Sequence, residues 1–179
     1  CDLVVRISLI TFITFIHLMT LQIRLMKKED IPLLAKVYVY VYKQLSIGEN
    51  WTIPAAKRLL NYWFTKQPDL AFVALINKKP IGAFVAGLKP WWDGNHLNDG
   101  EIFVHPQFQK QGIGTTLSKA LYTNALQKYK VVSFDAFTFK KSSFPLQWYL
   151  AQGFTISKDL VIITGNVRKI LSRLQNPKS

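Results

Sequence analysis

The alternation of apolar and polar residues divides the chain into short elements. Leu21 to Leu25 alternates as a half-buried strand does. Lys28-Glu29-Asp30-Ile31-Pro32 carries acidic residues and an early proline, a helix-start signal that predicts a helix from about Asp30 to Leu45. Within it Val37 to Tyr42 reads VYVYVY, which has the propensity of a strand; the start signal and the length favour helix. Thr52 followed by Pro54 predicts a second helix carrying Leu59, Leu60, Trp63 and Phe64 and ending before Pro68. Ala71 to Ile76 and Ile81 to Leu88 are apolar runs joined by Asn77-Lys78-Lys79-Pro80, which reads as a hairpin of two buried strands. Lys89 to Asn98 is predicted as a polar, tryptophan-containing loop.

Glu101 to His105 is predicted as a strand and Gly112 to Lys128 as an amphipathic helix with Leu117, Leu121 and Leu126 on one side. Val131 to Phe139 reads as another strand. A short helix from about Phe144 to Gln152 closes at Gly153, placed as a helix-ending glycine. Phe154 to Ile156 and Leu160 to Thr164 read as a last strand pair. Asn166 is placed to cap a final helix carrying Val167, Ile170, Leu171 and Leu174. The order β-α-α-β-β-β-α-β-α-β-β-α defines a mixed α/β fold, with no repeat, low-complexity tract or linker.

At 179 residues the chain suits one domain with its own core. With 49% hydrophobic and 18% charged residues it belongs to the foldable class rather than the disordered one. Lys and Arg number 23 against 10 acidic residues, a net charge of +13, which favours polyanionic partners such as nucleic acid, an anionic membrane surface or a phosphorylated cofactor. The basic residues are spread in short pairs (Lys27-Lys28, Lys78-Lys79, Lys140-Lys141) rather than a dense stripe, which argues against specific nucleic-acid binding. Cys1 is the only cysteine, so no disulfide forms within one chain and a reducing cytoplasm is the expected compartment. The three histidines, His17, His96 and His105, lack metal-ligand spacing, and no metal is expected.

The first eighteen residues, CDLVVRISLITFITFIHL, stand apart. Their apolar stretch, about a dozen residues, is short for a membrane span of about 20, and no small-residue cleavage site follows it. Residues 1–18 are read as a doubtful apolar extension upstream of a natural start at Met19, and 19–179 as the single functional domain. Membrane association is expected only if the extension is native.

The chemistry concentrates in residues 100–116, GEIFVHPQFQKQGIGTT. A strand ends at Pro106, which has no amide to donate. The loop Gln107 to Gln111 is polar and basic, and Gly112 and Gly114 then open a helix. Without side chains they allow a ligand close to the backbone, and the helix's unpaired first-turn amides and dipole favour an anion such as a pyrophosphate. Lys110 adds positive charge and Thr115 a hydroxyl. Neither the Gly-Lys-Ser/Thr of a Walker loop nor the third glycine of a dinucleotide fingerprint is present.

The spacing Val104-x-Pro106-x-x-Gln109-x-x-Gly112-Ile113-Gly114 resembles motif A of the GNAT family of N-acetyltransferases at every fixed position. Trp148-Tyr149-Leu150-Ala151-Gln152-Gly153-Phe154 resembles its motif B, and Ile23-Arg24-x-Met26-x-x-Glu29-Asp30-Ile31-Pro32 its usual opening. The resemblance covers about residues 19–165. It implies a central mixed, mostly antiparallel sheet flanked by helices and splayed between the fourth and fifth strands. It implies acetyl-CoA as cosubstrate, with the pantetheine arm along Ile102, Phe103 and Val104. The pyrophosphate then falls to Gln109, Lys110, Gln111, Gly112, Ile113, Gly114 and Thr115. The position of an Asn that often touches the cofactor in the family is Ser142 here.

The implied reaction is direct attack of a primary amine, of a small molecule or peptide, on the thioester. It needs a base for the ammonium, acting directly or through water, and an acid for the leaving thiolate. Tyr149 matches the family's acid; as a bare sequence feature it also reads as a packed aromatic. Glu101, Asp99 and His105 are the candidate bases, and in a regular strand Glu101, Phe103 and His105 share one face. Tyr38, Tyr40, Tyr42, Trp51, Trp63, Trp91, Trp92 and Asp93 fall where the family builds its acceptor surface. A non-catalytic acyl-CoA sensor on the same fold is the alternative, and a homodimer is allowed.

Overall fold

The computed structural model describes residues 20–45, 48–140 and 143–175; the extension 1–18, Met19 and Ser142 lie outside them. The chain divides into two units, 1–137 and 138–179. In the first, β1 (Leu21–Leu25), β2 (Ala71–Ile76), β3 (Lys79–Trp91), β4 (Gly94–Val104) and β5 (Val131–Asp135) form one sheet in the order β1-β2-β3-β4-β5. The first four are antiparallel and β5 joins β4 in parallel. Helices α1 (Ile31–Leu45) and α2 (Ile53–Lys66) cover one face, and α3 (Ile113–Tyr129) covers the other.

Every residue of β2 is buried, as its unbroken apolar run AFVALI requires of a strand covered on both faces. Alternate side chains feed two cores. Val73, Leu75, Ala83, Val85 and Phe103 meet Leu34, Tyr38, Leu60 and Trp63, while Ala74, Phe84, Leu97 and Val104 meet Ile113, Leu117 and Leu121. The VYVYVY segment is helical because Leu34, Ala35, Tyr38 and Val41 recur at helical spacing and are buried on the sheet. Packing of that stripe overrides the β-branched propensity. Asp30 locks the helix start, accepting from Arg24 Nη1 (2.7 Å) and Nη2 (2.9 Å) and from the Lys27 amide (2.7 Å). Thr52 caps α2 through its hydroxyl to the Ala55 amide, and Asn166 caps the last helix by accepting from Lys169.

Asp69, between α2 and β2, ties the sheet to the far end of α3. Its carboxylate accepts from Gln67 Nε2 (2.8 Å) and from Lys128 and Tyr129, and its carbonyl accepts from Asn124 (2.6 Å). Burial pushes its pKa up, but these donors outweigh burial and hold it at about 2.

Three sequence expectations change. Lys89 to Asn98 is no loop: it is the far end of the β3–β4 hairpin, turned at Trp92-Asp93. Its polar residues read as loop because strand pairing rather than core burial holds them. The Lys89 amine stands 3.8 Å above the Trp91 ring, and Asn95 donates to the Tyr129 carbonyl at 2.9 Å. The strand expected over Val131 to Phe139 ends at Asp135, where its pairing with β4 stops. In the second unit, α4 (Ser143–Leu150) and α5 (Val167–Gln175) are present, but Phe154 to Ile156 and Leu160 to Thr164 carry no regular structure. Among the described residues neither segment joins the sheet, and an apolar run becomes a strand only against a neighbouring strand.

Candidate active site

The site is built where β4 loses one neighbour. Its pairing with β5 ends at Asn98 opposite Asp135, so among the described residues Glu101 to Val104 is paired to β3 alone. A bulge marks the same place. Val85 faces Glu101 and Gly87 faces Asn98, which leaves Asp99 and Gly100 opposite the single residue Ala86. Both bulge residues have positive φ, 54° and 116°. A Cβ on Gly100 would come within 2.1 Å of the Val85 carbonyl oxygen, so only glycine fits.

The open edge presents backbone groups. His105 N–H donates to the Ile81 carbonyl at 2.8 Å, so by the alternation of an antiparallel ladder Phe103 and Glu101 also bond toward β3. The peptide groups of Ile102 and Val104 therefore face the gap. Gln109 reaches back across the loop and donates to the Val104 carbonyl at 2.8 Å. Phe103, grouped with the cofactor strand by sequence, contributes packing instead: its ring is buried edge-on against Tyr38 with centroids 5.1 Å apart.

Beyond this edge the chain turns through Pro106–Phe108 and Lys110 (φ 59°) into α3. Gly112 is the N-cap at φ 78°, with open space where a Cβ would stand. The first intrahelical bond runs from the Thr116 amide to the Gly112 carbonyl (2.9 Å), so the amides of Ile113, Gly114 and Thr115 precede it. Ile113 is buried and anchors the turn, whereas Lys110, Gln111, Gly112 and Thr115 are exposed around it. A cradle of amides beside an exposed lysine suits an anionic diphosphate.

On the opposite sheet face Glu101, Phe103 and His105 point together toward α1. Glu101 Oε2 accepts from the Tyr38 hydroxyl (3.0 Å) and the Tyr42 hydroxyl (2.8 Å). The two tyrosines, one helical turn apart, stack at 4.3 Å, and Trp51 meets both edge-on. Burial raises the Glu101 pKa and the charges of Asp99 and Glu49 add to it; the tyrosine donors oppose them, and the balance is about 7. Burial, and then the Glu101 charge, hold both tyrosine hydroxyls far above their ordinary range, so they act as donors. His105 stacks on Tyr40 (5.1 Å, 9°) and its Nδ1 accepts from the Gln107 amide (3.3 Å).

Of the other aromatic candidates, Trp63 is buried in the core with Tyr38, and Trp92 is 88% exposed at the hairpin tip. Asp93 is bonded to His96. Tyr149, in the second unit, is buried, and its ring packs edge-on between Trp148 and Phe154, each at 5.1 Å. The tyrosine pair on Glu101 was missed from sequence. The i, i+4 spacing of Tyr38 and Tyr42 inside a predicted helix was the available signal. Among the described residues no group of three His, Cys, Asp or Glu is arranged to hold a metal, and no helix is long and apolar enough to cross a membrane.

A sheet of this order, splayed beside a glycine-capped helix, defines an acyltransferase fold. The sequence profile of the acetyltransferase (GNAT) family matches residues 36–154, and the chain belongs to that family as an N-acetyltransferase. Among solved structures, a protein of Pyrococcus horikoshii OT3 is 25% identical with a TM-score of 0.63, covering 78% of this chain and 92% of its own. A possible acetyltransferase from Clostridium difficile 630 is 12% identical with a TM-score of 0.68 over 82% and 97%. The PaiA N-acetyltransferase of Thermoplasma acidophilum, solved with coenzyme A, is 20% identical with a TM-score of 0.63 over 78% and 92%. No curated protein matches the chain significantly.

Proposed function

We propose that this protein transfers the acetyl group of acetyl-CoA to a primary amine of a small molecule or peptide, with Glu101 as general base and Tyr149 as general acid. The observation that carries the reading is Glu101: a half-buried carboxyl with a pKa of about 7, held by two tyrosines beside the point where the β4–β5 pairing ends. A base is most effective when its pKa lies near the working pH.

The residues present fit acetyl-CoA. The Ile102 peptide group and the Val104 amide suit the amides of a pantetheine arm, and the first-turn amides of α3 with Lys110 suit its diphosphate. The unoccupied volume at Gly112 leaves room for close approach. When bound, acetyl-CoA supplies an activated acetyl thioester. Glu101 takes a proton from the acceptor ammonium, freeing the nitrogen lone pair to form the N–C bond as the C–S bond breaks; the second proton, shed as the nitrogen becomes an amide, passes through water and restores the one Tyr149 gives up. Tyr149 gives its hydroxyl proton to the departing sulfur. The coenzyme A complex of the PaiA enzyme, on the same fold, supports the choice of donor. A cytoplasmic setting is in keeping with that donor.

The test is thermal stabilisation by acetyl-CoA, followed by a thiol-release screen over amines, amino acids and peptides. A ligand at 100 times its Kd stabilises by about 2.7 kcal/mol, a shift of several degrees in Tm. No stabilisation at millimolar acetyl-CoA refutes the cofactor. Stabilisation without turnover on any amine refutes catalysis and leaves an acyl-CoA-binding module.

A further inference from the structure

The side chains around Glu101 are layered from the sheet outward. Innermost are the hydroxyls of Tyr38 and Tyr42, both donating to Glu101 Oε2. Against the stacked pair stands Trp51, at 5.0 Å and 86° from Tyr38 and at 6.0 Å and 67° from Tyr42. Outermost is Glu49, exposed to solvent, whose Oε2 accepts the Trp51 indole N–H at 2.6 Å. Tyr38 is fully buried and Trp51 partly so, packed against the core under α1 and α2.

Trp51 is well anchored for a residue outside the regular elements. It directly precedes the N-cap of α2, where Thr52 accepts from the Ala55 amide at 3.3 Å and Pro54 follows, so the backbone that carries the ring leads into a fixed helix start. The one polar atom of the ring is a donor, and Glu49 takes it up. The rest of the ring packs on the two tyrosines that touch the proposed base.

The groups that act on Glu101 come from several elements. Burial is the largest influence and raises its pKa; Asp99 at the β4 bulge and Glu49 before α2 raise it further, and the tyrosine hydroxyls of α1 lower it. Lys66 of α2 lies over the Tyr62 and Trp63 rings, and His105, farther along β4, is stacked on Tyr40. Whatever keeps water from the carboxyl therefore governs its hold on a proton. Trp51 stands between the tyrosine pair and the exposed Glu49, which is the place for that task.

We infer that Trp51 is a positioning residue: anchored by Glu49, it backs Tyr38 and Tyr42 and shields the Glu101 carboxyl from water, keeping it in the state a general base requires. The inference rests on the reading of Glu101 as base, and its test separates the two. In Trp51→Ala water reaches the tyrosine pair. Any donor that a loosened tyrosine withdraws is replaced by water, so the net change is lost burial. The Glu101 midpoint is then expected to fall from about 7 toward the ordinary 4.5. Carbon-13 NMR titration of the side-chain carboxyl reads it without substrate, the signal being assigned by its absence in Glu101→Gln. The pH at which kcat/KM reaches half its plateau should fall with it. A merely structural role lowers Tm and the folded fraction but leaves both midpoints in place, and an unmoved Glu101 midpoint overturns the inference.

A second pair of variants decides the matter if Trp51→Ala fails to fold. Glu49→Gln removes the charge and keeps an oxygen for the indole N–H, whereas Glu49→Ala removes both. The Glu101 midpoint should lie lower in Glu49→Ala than in Glu49→Gln, and equal midpoints overturn the anchoring. Turnover of Glu101→Gln at the wild-type rate overturns the reading of Glu101 as base, while the titration without substrate still decides whether Trp51 governs the carboxyl.

Discussion

Glu101→Gln should make the protein more stable above neutral pH and nearly inactive. In the native state the carboxyl titrates at about 7 against an ordinary 4.5, a difference of about 3 kcal/mol between its two forms. The sign follows from linkage. A carboxyl whose pKa is raised by folding binds its proton more tightly in the native state, so the native state is penalised once that proton leaves. The penalty is absent below about 4.5, grows between 4.5 and about 7, and is complete above 7. Glutamine keeps the size and an oxygen to accept from Tyr38 and Tyr42, and carries no charge to desolvate. At pH 8 the variant should gain up to about 3 kcal/mol, a rise in Tm on the order of 5 °C or more. At pH 4.5 the two proteins should melt together. Loss of the base should lower kcat by about 10²- to 10⁴-fold, and the wild-type rate should climb with pH to a plateau above about 7. Melting curves at both pH values with a thiol-release assay decide the matter. A variant less stable than wild type at pH 8, a Tm difference that ignores pH, or turnover within threefold of wild type would refute the reasoning.

Tyr149→Phe should lower kcat by about 10²-fold or more while the KM for acetyl-CoA stays put, since only the donated proton is lost; parallel loss of binding in a titration would count against the acid role. Gly112→Ala places a Cβ in open space but at φ 78°, so it should cost about 1–2 kcal/mol of backbone strain and weaken acetyl-CoA binding, both readable from Tm with and without cosubstrate. Asp69→Asn should destabilise by about 1–2 kcal/mol at pH 7 by removing the acceptor of Lys128 and Tyr129. The folded pKa of Asp69 is depressed to about 2 from 3.8, so its contribution is present above about 3.8 and lost as pH falls toward 2; in urea melts the gap between Asp69→Asn and wild type should close over that range.

Elements with a strong local signal were legible in the sequence. The amphipathic stripe of α3, the capped start of α2 and the apolar runs of β2 and β3 were predicted within a few residues, because burial on a known side fixes their period. The β3–β4 extension was not, since Lys89 to Asn98 is held by cross-strand pairing and by His96, which no local window contains. The glycine-capped start of α3, where the anion site is proposed, was readable because the left-handed backbone at Gly112 favours glycine. The half that faces α1 was readable as Glu101, Phe103 and His105 on one strand face and, separately, as a list of aromatics. Tyr38 and Tyr42 lie about 60 residues from Glu101 in sequence, 63 and 59 positions away, and only the fold brings them together.

Three of the places where this sequence breaks its own local rules bear on one strand edge. A helix is written in strand residues at VYVYVY, a bulge carries two consecutive positive-φ residues at Asp99 and Gly100, and α3 begins on a left-handed glycine. Each costs stability locally, and sequences that fold well carry few such conflicts. Here each conflict has a use at the splay. The tyrosines of the strand-like helix hold the Glu101 carboxylate. The bulge lies where β4 parts from β5. The left-handed glycine opens the helix end to an anion. A chain selected only to fold would be expected to relieve these strains independently. Their convergence on Asn98 to Gly114 is the reason to treat that stretch as the working part of the molecule, and it predicts that substitutions relieving any one of them will stabilise the protein at the expense of turnover.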